Sequence, residues 1–392
     1  MKKKLSLVIV MSVSLTLVSQ SQDDSLSTTG GFNLGTHNYG ISFGNSSVHS
    51  GLRFNWSDDG IEEINGVNVT LWRPADNLSG TVSGFSFGLL APAADNLHGM
   101  SVGGLAVIAG NSLSGISLGT LATVSLGTAR GLNFGGLALV GRRELSGINV
   151  GGLACVTEGD LKGISLSSVA LVGKGSIVGV NVGGMALVSE GTITGLNLGG
   201  IAAVGKDGMA GVNLSGIALV SEGPVEGLNV GGVAVVGKER VLGLNVSAVA
   251  LVSEGSINYL NIGGLAVVGM GGISGFTVGG AGIVSKEAIT GINLTVGDLR
   301  TDGSITGLNV GGYRIKAREI SGINLGIIST ESKNSKGITT GIYNRATGTQ
   351  SGISIGIFNH ATNLFGIQLG LINYAENNPE YLRVLPLLNL HF

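Results

Sequence analysis

The chain has 392 residues, of which 71 are glycine and only 12% are charged, with a formal net charge of -2. This balance gives no sign of a nucleic-acid partner or of attraction to an anionic membrane surface. The glycines lack the three-residue period of collagen, and a hydrophobic fraction of 43% argues against disorder.

The N-terminus has the pattern of a secretory signal peptide. Three lysines at positions 2–4 precede an apolar run over residues 5–18, and residues 19–21 (SQS) have the small-x-small pattern of a cleavage site. We therefore expect residues 1–21 to be a signal peptide and residues 22–39 to be a short N-terminal lead. The expected location is the cell surface, the outer membrane or the extracellular medium.

Residues 40–98 hold irregular glycine-initiated repeats, such as GISFGNSSVHS and GLRFNWSDDGIEEIN. Terminal repeats of solenoids are atypical because they must cover an exposed sheet edge. We interpret this segment as N-terminal capping repeats. Its carboxylates Asp58, Asp59, Glu62 and Glu63 lack the ligand spacing of a calcium loop, which favours a solvated turn.

The centre of the chain, residues 99–321, repeats a 16-residue unit, and ten successive copies fill residues 131–290. Numbered from its first glycine, the unit reads Gly, aliphatic, Asn, aliphatic, Gly, Gly, aliphatic, Ala, aliphatic, Val, and then six mostly polar residues. A short fixed period indicates supersecondary units stacked in an array. Interior glycines disfavour a helix, and aliphatic residues that alternate with small ones are typical of strands.

We predict that each unit is one coil of a β-solenoid, with the glycines at positions 5 and 6 as a corner. The repeats that start at Gly291 and Gly307 carry charges at positions 8 and 10, so these positions should face outward and positions 7 and 9 inward. Positions 2 and 4 should face inward on the other side of the corner. The predicted fold is all-β, with about 22 coils of 14–18 residues, mostly 16.

Position 12 alternates in charge along the regular repeats, from Arg142 and Glu158 to Lys238 and Glu254. Equivalent residues of stacked coils lie about 4.8 Å apart, where like charges would repel. The alternation therefore predicts a ladder of opposite charges that helps to set the register of the coils.

Residues 322–392 hold shorter repeats and a closing segment that Pro379 and Pro386 interrupt. We interpret this part as shortened coils followed by a C-terminal cap.

The histidines and the cysteine do not point to a metal or catalytic site. Cys155 is alone and occupies inward position 9, which is typical of a buried structural thiol. The glycine-rich runs lack the following helix of a dinucleotide site and the GGxGxD pattern of calcium-binding repeats. We therefore expect no catalysis, no cofactor and no bound metal. The histidines, which show no metal-ligand spacing, are His37, His49, His98, His360 and His391.

One local departure from the consensus is a candidate ligand patch. Asp298, Arg300, Arg314 and Lys316 replace small or aliphatic residues at positions 8 and 10 of two adjacent repeats. In stacked coils, Asp298 would lie beside Arg314, and Arg300 beside Lys316. The patch either binds a small anionic ligand or is an exposed face that became charged.

In the other repeats, the outward Ala and Val at positions 8 and 10 would form a long apolar stripe. Such stripes commonly mark interaction surfaces. We expect the chain to associate through this stripe with itself or with another surface protein.

The segments INGVNVTLWRP (64–74) and GLINYAENNPEYLRVLPLLNLHF (370–392), with repeats such as GLNVGGVAVV between them, carry a resemblance that covers nearly the whole mature chain. They resemble a family of uncharacterised bacterial Gly-rich surface repeat-containing proteins. The resemblance implies export and surface display, and it brings no catalytic residues.

The favoured function is an exported surface or secreted repeat protein that acts as a structural or adhesive module. The alternative is an outer-membrane β-barrel with one strand per repeat, which the alternation of Leu388, Leu390 and Phe392 favours. Sparse aromatic residues and the lack of a polar lumen lining argue against it. An enzyme, such as a carbohydrate lyase on a β-helix, would need clustered acids, bases or aromatic platforms that the sequence does not show.

Overall fold

A computed structural model describes residues 31–36, 38–74 and 78–392. In these residues the chain forms strands joined by turns, and a 3-10 helix at Glu380–Leu382. No helix among them is long and apolar enough to cross a bilayer. The expected signal peptide, and residues 22–30 and 37 of the expected lead, lie outside this part of the chain.

Each regular repeat contributes a long strand, which ends at position 5, and a short strand over positions 8–11. Long strands pair with long strands and short with short, all in parallel, so that equal positions stand side by side: Gly211 is opposite Gly227, and Ala218 is opposite Ala234. This arrangement is the predicted β-solenoid. Because successive copies run parallel and each holds two strands, the alternative of one antiparallel strand per repeat is wrong.

The N-terminal strands vary in length. The first two form an antiparallel hairpin, and the second begins the parallel stack. They are β1 (Gly31–Thr36), β2 (Tyr39–Gly44), β3 (Val48–Asn55), β4 (Glu63–Thr70), β5 (Thr81–Gly88), β6 (Ala93–Gly103) and β7 (Ala106–Gly119).

In the regular part, even-numbered strands are short and odd-numbered strands are long. They are β8 (Ala122–Ser125), β9 (Thr128–Gly135), β10 (Ala138–Gly141), β11 (Glu144–Gly151), β12 (Ala154–Thr157), β13 (Asp160–Ser167), β14 (Ala170–Gly173), β15 (Ile177–Gly183), β16 (Ala186–Ser189), β17 (Ile193–Gly199), β18 (Ala202–Gly205), β19 (Met209–Ser215), β20 (Ala218–Ser221), β21 (Val225–Gly231), β22 (Ala234–Gly237), β23 (Val241–Ser247), β24 (Ala250–Ser253), β25 (Ile257–Gly263), β26 (Ala266–Gly269), β27 (Ile273–Gly279), β28 (Gly282–Ser285), β29 (Ile289–Thr295), β30 (Asp298–Thr301) and β31 (Ser304–Gly311).

At the C-terminal end the strands become continuous: β32 (Arg314–Gly326), β33 (Ser329–Ala375) and β34 (Val384–His391). The last strand turns back and pairs antiparallel with the end of β33, where Ile367 faces Leu390. The stack has about 18 turns at a spacing of about 16 residues. The count of 22 units from the sequence also includes the shorter and longer intervals near both ends.

The orientation of the long strand differs from the prediction. Position 3 is buried, as Asn197 shows, whereas Leu196 at position 2 is 38% exposed and Ile201 at position 7 is 42% exposed. Side chains at position 4 are half-buried and also point outward, as at Leu198. The prediction that positions 2, 4 and 7 face inward is therefore wrong. Position 9 faces inward, and positions 8 and 10 are on the outer side, as predicted.

The core contains two aliphatic columns and one polar column. Positions 9 and 15 supply fully buried aliphatic residues, such as Leu187 and Ile193. Position 3 supplies buried Asn, Ser or Thr in most coils. Between consecutive coils, each Asn Nδ2 donates to the next Asn Oδ1: Asn181 to Asn197 at 2.9 Å and Asn197 to Asn213 at 2.9 Å. Repetition thus supplies the partner without which a buried amide would cost about 1–3 kcal/mol.

Glycine at position 1 forms a corner within the long strand. Gly211 has a φ of 103°, and a Cβ on it would lie 2.3 Å from the carbonyl oxygen of Gly195 in the preceding coil. The chain bends there, so positions 16, 1 and 2 all lie on the outside. A further turn lies at positions 6 and 7, one residue beyond the glycine corner predicted at positions 5 and 6.

Candidate interaction surface

Charged residues are confined to one side of the solenoid. In every repeat from Gly66 to Gly366, positions 1–7 contain no Asp, Glu, Lys or Arg. Because positions 3 and 5 turn inward, the side chains at positions 2, 4 and 7 form most of the outer surface of this side, and coils without glycine at position 6 add one more, such as Val296 or Ile327. We call these side chains, in the repeats from Gly66 to Gly366, the apolar face.

The apolar face is a set of parallel columns of aliphatic side chains. The in-register pairing stacks each side chain on the same position of the next coil, as at Leu196 and Val212. Exposed members at position 2 include Ile116, Leu132, Ile148, Ile164, Leu244 and Ile292, and those at position 7 include Leu121, Leu137, Leu153, Met185, Ile217 and Leu265. Sequence reasoning missed this face because it assigned these columns to the core. It expected the apolar stripe at positions 8 and 10, where the side chains are smaller.

The opposite side of the solenoid carries the predicted charge ladder. Glu158 lies 3.3 Å from Arg142 and 3.5 Å from Lys174, and Lys238 lies 2.6 Å from Glu222. The hydrogen bond from Lys238 lowers the pKa of Glu222. Exposed ion pairs of this kind add little stability. They make one side of the rod strongly polar, whereas the opposite side carries the apolar face.

The structure brings the four residues of the predicted ligand patch together. Asp298 stands opposite Arg314 and accepts a hydrogen bond from its Nη2 at 2.9 Å, while Arg300 stands opposite Lys316. The hydrogen bond with Asp298 raises the pKa of Arg314. Lys316 also lies 3.7 Å from Glu331. Asp298 and Arg314 are therefore paired within the patch and Lys316 lies beside Glu331 outside it. The role of the patch as an anion site stays a prediction.

The acidic cluster of the N-terminal repeats is only partly a solvated turn. Glu62 and Glu63 are exposed as expected, but Asp58 is buried and lies 3.0 Å from the equally buried Arg53. The expectation of a solvated Asp58 is wrong because Arg53 occupies inward position 3, where most other coils have Asn, Ser or Thr. Desolvation lowers the pKa of Arg53, and Asp58 opposes this effect.

Asp58 is the acceptor at the centre of a buried network. Its Oδ1 accepts hydrogen bonds from Asn55 at 2.9 Å, from Asn68 at 2.9 Å and from Thr70 at 2.7 Å. Its Oδ2 accepts from the backbone N–H of Ala93 at 3.3 Å. Because these donors belong to the buried interior of the N-terminal coils, we interpret the network as structural. An arginine at a position that holds uncharged polar residues in the other coils was the signal that could have revealed it.

Cysteine and histidine do not form a site in the part of the chain that the structure describes. Cys155 is buried at position 9, as predicted, and burial raises the pKa of its thiol to about 12. His49 is buried with its Nε2 3.0 Å from the carbonyl oxygen of Gly40. No group of three or more His, Cys, Asp or Glu residues that could hold a metal occurs in this part of the chain.

A groove of about 360 Å³ lies on the charged side, where the repeat shortens from 16 to 15 residues. Hydroxyl groups dominate it, and Glu319 and Lys336 are the charged residues in its lining. The groove does not involve the predicted patch. Its uncharged polar lining residues are Ser304, Thr306, Ser321, Asn334, Ser335, Thr349 and Ser351.

Fold and surface together define a β-solenoid repeat protein with one charged and one apolar side. Comparisons with known proteins found no matching family model, no matching curated protein and no matching solved structure. The resemblance to surface repeat-containing proteins therefore stays a prediction.

Proposed function

We propose that the chain is an exported surface or secreted repeat protein that acts as a structural or adhesive interaction module, without catalysis. The observation that supports this proposal is the apolar face. Contiguous exposed apolar patches above a few hundred Å² commonly mark binding surfaces. About 18 turns at about 4.8 Å each give a length of roughly 85 Å, and six residues of extended chain a width of up to about 20 Å.

The N-terminal sequence supports export to the cell surface, the outer membrane or the medium. Its lysines at 2–4, its apolar run over 5–18 and the SQS at 19–21 match the three parts of a signal peptide. The resemblance to surface repeat-containing proteins points to the same location.

Export is tested by following the chain in a bacterial host with antibodies raised against residues 99–321. We expect a product that begins near residue 22, found in the envelope or the medium and labelled on intact cells. A matched variant without residues 5–18 should remain inside the cell. A full-length product confined to the cytoplasm would contradict the proposal.

Adhesion is tested with cells that display the chain. They should attach to an apolar surface or to one another more than cells without it do. Leu132→Lys combined with Leu196→Lys, two changes on the apolar face, should remove the gain. Equal attachment of both displaying strains would show that the apolar face is not the adhesive surface.

A further inference from the structure

We propose that the apolar face binds a second copy of the chain side by side, and that Tyr259 is the anchor that sets the longitudinal register of the two copies. This inference rests on the proposed function as an interaction module and names its partner.

Tyr259 is an exception at position 1, which is glycine in the other repeats from Gly40 to Gly366. It has a φ of 80°, a region that a bulky residue rarely occupies. A Cβ on the equivalent Gly243 would lie 2.1 Å from the carbonyl oxygen of the preceding coil, so a side chain at this position forces the backbone to shift. The solenoid would be less strained with glycine here.

Most of the Tyr259 side chain lies outside the packed part of the solenoid. It is 68% exposed, and in the described residues it makes neither a side-chain hydrogen bond nor a contact with another aromatic ring. Strained residues that persist are typical of functional sites, and exposed tyrosines are frequent anchors of protein interfaces. The ring therefore points to a contact outside the chain.

The shape of the apolar face fits another copy of itself. Side-chain columns at positions 2 and 4 form ridges about 7 Å apart. Glycine at position 1, and at position 6 in about half of the coils, leaves grooves beside them. A second rod repeats with the same rise of about 4.8 Å, so ridges can lie in grooves in phase over the whole length. The surface of a globular partner lacks this repeat, so its side chains would match the ridges and grooves over a few coils only.

The area is sufficient for a stable complex. The straight part of the face, positions 2–5 between the corner at position 1 and the turn at positions 6 and 7, is about 13 Å wide. Over about 85 Å this strip gives on the order of 1,100 Å² per copy. A standard interface buries about 800 Å² per partner. The face also contains no charge that would have to be buried unpaired on association.

A periodic face alone would not define one complex, because a slip by one coil changes few contacts. Tyr259 makes one alignment of the two copies differ from the others. Phe276, at position 2 of the next repeat, stands opposite Leu260, the residue that follows Tyr259. It places a second aromatic side chain in the same part of the face. In a two-fold symmetric side-by-side pair, the Tyr259 and Phe276 side chains of the two copies meet in one alignment only, and a slip by one coil separates them.

Sedimentation velocity of the mature chain, from residue 22, over a range of concentrations tests the inference. We expect a dimer at micromolar concentrations. Tyr259→Gly should weaken association at least tenfold and, in dilute solution, raise the melting temperature because strain is removed. The matched control Tyr381→Gly removes an exposed tyrosine of the C-terminal cap and should leave association unchanged.

A second pair of variants tests the face itself. Leu196→Lys should abolish association, whereas Thr194→Lys, on the side where Lys162 already lies at the same position, should not. A chain that stays monomeric at all concentrations, or binds lipid vesicles only as a monomer, would overturn the inference. So would a Tyr259→Gly variant that melts lower and associates normally. A monomeric chain that still mediates cell attachment would leave the proposed function intact.

Discussion

The side-chain amide of Asn229 donates a hydrogen bond to Oδ1 of Asn245 in the next coil at 2.8 Å, and both side chains are completely buried. Asn229 accepts in turn from Asn213 at 2.8 Å. Because equal positions stack in parallel, the donor of one amide always meets the acceptor of the next. This ladder places a polar residue in the core and thereby turns the neighbouring aliphatic residues outward.

The ladder predicts an unusual order of mutational effects. Asn197→Ala should lower the free energy of unfolding by about 1–3 kcal/mol because Asn181 and Asn213 each lose a buried partner. Leu196→Ala, at the adjacent exposed position, should cost less than 1 kcal/mol. Urea denaturation of dilute protein measures both. If the leucine variant were the more destabilised, the assignment of inside and outside would be reversed.

The buried Arg53–Asp58 pair should be sensitive to the loss of one partner. Asp58→Asn leaves the Arg53 guanidinium without a counter-charge and should cost about 3–5 kcal/mol. The double variant Arg53→Met/Asp58→Asn should recover part of that loss. Hydrogen exchange of β3, β4 and β5 reports the effect locally, and unchanged protection in Asp58→Asn would contradict the prediction.

The glycine corner should tolerate no side chain. Gly211→Ala places a Cβ 2.3 Å from a carbonyl oxygen and should destabilise the chain by at least about 2 kcal/mol. Gly60 also has a positive φ, of 64°, but open space around it, so Gly60→Ala should cost only about 1 kcal/mol. Thermal melting of both variants separates the effect of the Cβ clash at position 211 from the cost of a positive φ, which both positions share. Equal losses of stability in the two variants would argue against the close approach of the coils at Gly211.

The thiol of Cys155 should be inert in the folded chain. Burial raises its pKa from 9.0 to about 12, so the thiolate is scarce at pH 8. The folded pKa is the higher one; the thiol therefore has no effect on stability below pH 9 and disfavours the folded state as pH rises from 9 towards 12. Colorimetric thiol titration should detect the cysteine only in denaturant. Rapid labelling in buffer would contradict its burial.

The stacking of the coils could be predicted from the sequence because it depends on repetition alone. The 16-residue period places Arg142 over Glu158, and Asp298 beside Arg314, whatever the shape of the coil. The position of Cys155 followed from the same period and from charges at positions 8 and 10 of two repeats.

The orientation of the long strand could not be predicted in the same way. Aliphatic residues at positions 2 and 4 match a core pattern, and the asparagine between them looks like a surface residue when one repeat is considered alone. Only stacking supplies Asn197 with two hydrogen-bond partners of its own kind. A further signal was present: position 3 keeps small polar residues of similar size in nearly all coils, whereas position 2 varies from Val180 to Phe276.

Cysteine labelling at positions 194, 196 and 197, in a Cys155→Ala background, tests the central claim that the aliphatic columns form an outer binding face. In dilute protein, Leu196→Cys and Thr194→Cys should react with a maleimide and Asn197→Cys should not. At concentrations where the chain associates, Leu196→Cys should become protected while Thr194→Cys stays reactive. If Leu196→Cys were unreactive in dilute protein, the leucine would be a core residue and the apolar face would not exist.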